Sequence, residues 1–208
     1  LIYIVLIVPI LLITPILLKG KPMPAPKILA FAGSLRADSY NKKLVKIAVK
    51  GAEAAGAEVT CLDLRDYPLP VFDEDLEKAD GMPANGRKIK DLMLAHDGWL
   101  LSCPEYNSSI TAVLKNTIDW ASRKQEGETP LQCFVGKAVC LMSASPGALG
   151  GLRGLVVVRM LLNNINMIVL PDQVAIMQAA NAFNPDGTLV DAGKQTAVTK
   201  LGTTLTTF

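Results

Sequence analysis

One histidine, His96, is all that this chain offers to imidazole acid–base chemistry, so a Ser/His/Asp or Cys/His hydrolase is not expected. His96 stands where an amphipathic pattern ends, before Asp97 and Gly98, and a solvated or helix-terminal role is expected of it. The four cysteines, Cys61, Cys103, Cys133 and Cys140, form no CxxC pair and have no histidine at ligand spacing. Zinc, iron–sulfur and dithiol chemistry are thereby excluded, and a reducing, cytoplasmic setting is expected. No charge of one sign dominates. With 21 Lys and Arg against 19 Asp and Glu the net charge is +2, which implies no nucleic-acid partner and no disorder. The phosphate fingerprints GxGxxG and GxxxxGK[ST] are missing too.

The amino end runs the other way. Residues 1–18, LIYIVLIVPILLITPILL, are apolar but for Tyr3, Thr14 and two prolines, and at ~1.5 Å per residue they nearly span a ~30 Å hydrocarbon core. Pro9 and Pro15 would each disturb a helix there, no basic residue precedes the run, and no small-residue cleavage site follows it. We expect the native product to start at Met23, with 1–22 an apolar extension outside the domain of residues 23–208. Were the segment to insert, Lys19 and Lys21 would keep the domain on the cytoplasmic side.

From Lys27 onward, apolar runs alternate with amphipathic stretches. Strands are predicted at 27–32, 57–63, 98–103, 137–143 and 167–176, and helices at 40–55, 83–96, 110–122, 150–165 and 189–206. That alternation predicts an α/β domain, a doubly wound five-stranded parallel sheet of flavodoxin-like order 2-1-3-4-5, although periodicity alone leaves the Rossmann order open. The stretch 65–82, with two prolines and six acidic residues, reads as a long solvated excursion.

In open parallel sheets ligands bind beyond the carboxyl ends of the strands, so the loops after strands one, three and four are the ones to read. The first, GSLRADSYN at 33–41, gives a turn at Gly33, short polar groups at Ser34, Ser39 and Asn41, and a guanidinium at Arg36, all at a helix start. Free N–H groups and a positive dipole end suit a phosphate; the competing role is helix capping by Ser39 or Asn41. The second, CPEYNSSI at 103–110, ends its strand at Pro104 and presents the Tyr106 ring and the Asn107 amide, which suits a planar heterocycle with a polar tail. The third, SASPGALGGLRG at 143–154, carries glycines at 147, 150 and 151 that would let the backbone approach a ligand. Arg153 could turn to a phosphate or to a partner chain.

Together the three loops resemble those of the NADPH-dependent FMN reductase family, the flavodoxin-like quinone, chromate and azo-dye reductases. GSLRADSYN is similar to that family's phosphate loop, PEYN to its flavin loop, SPGALGGLR to its third loop, and LKNTIDW at 114–120 to the helix after PEYN; the likeness runs from Lys27 to about Ala180. The resemblance implies FMN as cofactor, with Ser34, Arg36, Ser39 and Asn41 on its phosphate. Pro104, Glu105, Tyr106 and Asn107 would line the ribityl chain and ring, and Ser143, Ser145, Gly147 and Gly150 would close the other side, chiefly through backbone groups. It further implies NADPH (or NADH) as hydride donor, a small-molecule electron acceptor such as a quinone, dye, metal oxyanion or free flavin, and a homodimer or homotetramer. No catalytic side chain is then required, since the flavin carries the chemistry. The other reading is an electron-carrier flavodoxin without its own nicotinamide reaction, against which stand the near-neutral charge and Arg36.

Overall fold

The computed structural model describes residues 24–208; the expectations for the apolar stretch 1–18 and for a start at Met23 lie outside them. In chain order the elements are β1 (Lys27–Ala32), α1 (Tyr40–Ala54), β2 (Glu58–Leu62), α2 (Glu74–Asp80), α3 (Ala84–Ala95) and β3 (Gly98–Ser102). There follow a short hairpin of β4 (Glu105–Tyr106) and β5 (Ser109–Ile110), then α4 (Ala112–Ser122), β6 (Ala138–Ala144), α5 (Leu152–Asn164), β7 (Ile168–Ile176) and α6 (Ala192–Thr207). The five long strands form one sheet in the order β2-β1-β3-β6-β7, every neighbouring pair parallel. Numbered among themselves these strands stand 2-1-3-4-5, as the flavodoxin-like expectation has it, and the Rossmann order is excluded.

The period of two along each strand divides the core. Ile28 and Ala30 of β1, Leu100 of β3 and Cys140 and Met142 of β6 face the α1/α6 layer. Leu29, Phe31, Trp99, Leu101, Val139 and Leu141 face the α3/α4/α5 layer. Burial on both faces is why these strands read as continuous apolar runs. On the first face α1 and α6 pack backbone to backbone: a Cβ on Gly202 would stand 1.9 Å from the Ala48 carbonyl oxygen, and one on Gly51 2.0 Å from that of Thr199.

The stretch 65–82 is solvated as expected, with no buried residue, but it is ordered: it contains α2, capped by Asp73, and is pinned to α4. Asn116 accepts from the Phe72 N–H at 2.7 Å and donates to the Pro70 carbonyl at 2.9 Å, which the Trp120 indole N–H also reaches at 2.9 Å. The LKNTIDW helix therefore clasps the loop after β2. Of the two roles expected of His96 the helix-terminal one holds: it stands buried at the end of α3, one ring nitrogen 2.6 Å from the Leu92 carbonyl and the other 2.8 Å from Thr60 Oγ1. Both nitrogens are occupied at the end of the sheet opposite the three loops.

Burial pushes the Cys133 thiol up to about 11 and Cys140 up to about 12, and burial also raises Cys61 and Cys103. All four cysteines are free, Cys61 exposed and the other three buried. Among the described residues there is no cluster able to hold a metal ion and no helix long and apolar enough to cross a membrane.

Candidate functional site

The three loops meet at the carboxyl edge of the sheet in one small cleft, lined by Ser34, Arg36, Ser39, Tyr40, Asn41, Pro104, Glu105, Tyr106, Ala144, Ser145 and Pro146. Its enclosed volume is about 60 Å³, room for an anionic head group and not for a whole flavin. A ring system would lie across the open rim, where the Tyr106 side chain is 57 % exposed. A larger concavity of about 740 Å³ lies past the third loop, between β7 and α6. It is mostly apolar and shares only the Ala148 flank with the loops, so the cleft with the convergent polar groups is the stronger site.

The start of α1 is the most distinctive part of the cleft. Ser39 occupies its N-cap position yet makes no capping hydrogen bond, whereas Thr111 at α4, Asp73 at α2 and Asp191 at α6 each accept from a first-turn N–H. No acidic residue stands in the first turn of α1 to balance its N–H groups. The capping expectation for Ser39 is thus not met. Ser34 Oγ lies 3.3 Å from the Arg36 N–H and shapes the loop. The Arg36 guanidinium is exposed, rests 5.8 Å over the Tyr40 ring, and forms no ion pair with a described residue.

Asn41 has a different task. Its amide nitrogen donates to the Ala144 carbonyl at 2.8 Å, while its oxygen accepts from Ser102 Oγ at 2.9 Å and from the Ala144 N–H at 3.0 Å. It ties α1 to the ends of β3 and β6 and fixes the distance between the first and third loops. Gly33 sits under the same junction: a Cβ there would meet Leu114 Cβ at 2.8 Å, and its carbonyl accepts from Thr111 Oγ1 at 2.7 Å. Close packing on α4, not an unusual φ, is what requires glycine.

In the second loop Pro104 ends β3, and Asn107 (φ 51°) and Ser108 (φ 64°) form a left-handed pair that turns the β4–β5 hairpin. That hairpin was not foreseen, although an Asn at the first turn position is its usual sign. Glu105 points away from the rim. Burial works to raise its pKa, but the Gly154 N–H at 2.9 Å and the Arg153 guanidinium at 3.0 Å hold it below the usual carboxylate range. Arg153, which sequence left between a phosphate and a partner chain, thus pairs within its own chain and docks the start of α5 on the hairpin.

In the third loop the Ser143 hydroxyl is buried and donates to the Cys103 carbonyl at 2.6 Å, joining β6 to the second loop. Ser145 Oγ accepts from the Gly147 N–H at 3.2 Å and curls the loop over Pro146. Gly147 is exposed, with nothing nearer than 3.6 Å to an added Cβ, and so can be approached closely. Gly150 cannot: its φ is 63° and a Cβ would stand 2.7 Å from the Ile176 backbone carbon, so its hydrogen atom serves contact with β7.

A parallel sheet in this order with polar loops at its carboxyl edge defines the flavodoxin-like class of nucleotide-binding α/β proteins. Within that class, the family model described as NADPH-dependent FMN reductase matches residues 26–181, and the chain belongs to that family. The chain is 36 % identical over 166 residues to an NAD(P)H-dependent FMN reductase of Pseudomonas aeruginosa, covering 79 % of this chain and 85 % of that protein. It is 33 % identical over 180 residues to a probable NADPH:quinone oxidoreductase of Oryza sativa subsp. japonica, with 84 % of each covered. The solved structure of a flavoenzyme NAD(P)H:(acceptor) oxidoreductase from Paracoccus denitrificans superposes with a TM-score of 0.74 at 28 % identity, over 88 % of this chain and 96 % of that one. A flavodoxin from the domain Archaea, at 11 % identity and a TM-score of 0.58, shares the fold alone.

Proposed function

We propose that this FMN-dependent NAD(P)H oxidoreductase seats the flavin phosphate at the start of α1 and lays the ring over the rim between the second and third loops. The observation that carries the reading is the uncapped α1 N-terminus: free first-turn N–H groups, the Ser39 hydroxyl and the unpaired Arg36 converge on a pocket sized for a head group. When bound, FMN supplies hydride chemistry, accepting from NAD(P)H and passing electrons to a quinone, dye, metal oxyanion or free flavin.

The chain's own residues bind and orient. Ser34, Arg36 and Ser39 hold the phosphate, Pro104 and Tyr106 border the ring side, and backbone groups of 145–147 close the opposite wall. Asn41, Glu105, Ser143 and Gly150 are positioning residues: their polar groups or close contacts join the loops to one another, so they act on the flavin through the shape of the cleft. Asn107 acts through the hairpin turn. Since no titrating side chain is needed at the ring, a reductase with a single remote histidine is chemically coherent.

The assembly is a dimer or tetramer of this chain. Leu149, Leu152, Val156 and Met160 form an exposed apolar line from the third loop along α5, next to a groove of about 720 Å³ between α5 and the β5–α4 junction. A second copy covering that line would also border the rim of the cleft. Four free cysteines fit a reducing, cytoplasmic setting.

The purified protein should be yellow and release FMN, not FAD, on denaturation. NADPH should bleach it rapidly under anaerobic conditions without a second enzyme. A protein that fails to take up FMN contradicts the reading; slow bleaching favours the electron carrier.

A further inference from the structure

The third loop is fixed from behind by the corner that ends β7, residues 176–179. The Ser145 N–H donates to the Ile176 carbonyl at 3.1 Å, the Gln178 N–H to the Gly147 carbonyl at 3.2 Å, and the Ala179 N–H to the Ser145 carbonyl at 3.0 Å. Gly150 lies against the Ile176 and Met177 backbone of the same corner. The corner turns through Gln178, which is left-handed (φ 49°, ψ 44°) at the start of a short 3₁₀ turn, while Ala179 beside it is buried in the α1/α6 layer. A residue with a side chain stays in that conformation only where its surroundings impose it. The Gln178 side chain is exposed and lines the apolar concavity behind the loop, not the cleft. What this position gives the site is therefore its backbone.

Held this way, the loop carries the N–H groups of Ala148 and Leu149 on an exposed crest, where neither meets an acceptor among the described residues. Fixed N–H dipoles at the polar edge of a bound ring favour the form of the ring that carries negative charge, and the effect fades when they are free to move. We propose that Gln178 is a positioning residue for the ring side of the flavin site. Its left-handed backbone locks the third loop, and through that loop sets both the affinity for the flavin ring and the ring's readiness to accept electrons. The two ends of the site are thereby governed separately, the phosphate by Arg36 and the ring by Gln178. The inference rests on the flavin reading of the cleft.

The test changes the backbone preference at this position. Gln178→Val, β-branched and averse to positive φ, should weaken FMN and riboflavin by the same factor, about tenfold, in titrations of apoprotein. It should also lower the midpoint potential of bound FMN. Gln178→Gly removes the whole side chain but accepts the conformation, and should keep both affinities within about twofold and the native potential. Asn166→Val is the control: Asn166 is left-handed too, with φ 65°, but stands before β7 at the opposite end of the sheet. That variant should lose stability in urea and leave flavin binding unchanged. Should Gln178→Val not fold, Gln178→Ala, which strains the corner less, should lose about two- to fivefold for both flavins. Native affinity or native potential in the folded variant overturns the proposal, as does an equal loss in Gln178→Gly or in Asn166→Val. A loss confined to FMN also overturns it, since the effect would then lie at the phosphate. A native protein that takes up neither flavin overturns the flavin reading and this inference with it; uptake of both, with no loss on substitution, overturns this inference alone.

Discussion

The α1 start and the cluster around Glu128 treat their polar groups in opposite ways. At Glu128 every charge has a counter-charge, although Arg87 Nε is buried without a partner: Glu128 accepts from the 2 % exposed Lys90 ammonium and, at 2.6 Å, from Arg87, while Lys90 also reaches the Arg123 carbonyl and Arg123 holds Glu77 at 2.7 Å. At α1 the guanidinium of Arg36 and the first-turn N–H groups have no protein partner. Groups that stabilise the fold are closed on one another, because burial makes an unmet charge expensive. Polar groups left open at a concave edge are available to a ligand, and water serves them until it arrives.

The largest effect should come from breaking the closed side. Glu128→Gln leaves Lys90 buried without its counter-charge and should cost about 3–5 kcal/mol, read as a fall in the urea midpoint with FMN affinity per folded molecule retained. Stability should also depend on acid. Burial works to raise the Glu128 carboxyl, but Lys90 and Arg87 hold it near about 2 instead of 4.5. A group with a depressed folded-state pKa contributes fully above its unfolded value, so stability should fall as pH drops from about 4.5 toward about 2. In Glu128→Gln that part of the acid dependence should vanish.

On the open side the expectation inverts. Arg36→Ala should weaken FMN by about 10–150-fold, the value of a ~1.5–3 kcal/mol charge-assisted contact, with the unfolding midpoint unchanged. The smallest effect sharpens the contrast. Thr111→Ala removes a working cap together with the hydroxyl's bond to the Gly33 carbonyl and should cost at least the ~0.5–2 kcal/mol of a cap, whereas Ser39→Ala at the uncapped start of α1 should cost less and show instead in FMN binding. Equal stability losses from both would mean that Ser39 is an ordinary cap.

The same contrast explains what could be read from sequence. The sheet was legible because its strands are buried on both faces, and each predicted strand boundary falls within one residue of the observed one. Helix starts were placed one to three residues early at α3, α4, α5 and α6, where Pro83, Thr111, Gly151 and Asp191 hold the non-helical position before the first turn and only Thr111 and Asp191 cap it with a side chain. The order within 65–82 was not legible because Asn116 and Trp120, about 45 residues later, supply the hydrogen bonds that hold Pro70 and Phe72. In the site, residue types were visible but directions were not. Only the fold shows that Asn41, Glu105 and Ser143 turn toward other loops while Ser39 and Arg36 remain open.

The most direct test compares FMN with riboflavin, which lacks the phosphate, by fluorescence titration of the native apoprotein and of Arg36→Ala. The account predicts that FMN binds more tightly than riboflavin and that the substitution narrows this gap by about 10–150-fold, through FMN alone. Equal affinities for the two flavins, or an equal loss for both in the variant, would contradict a phosphate seat at the start of α1.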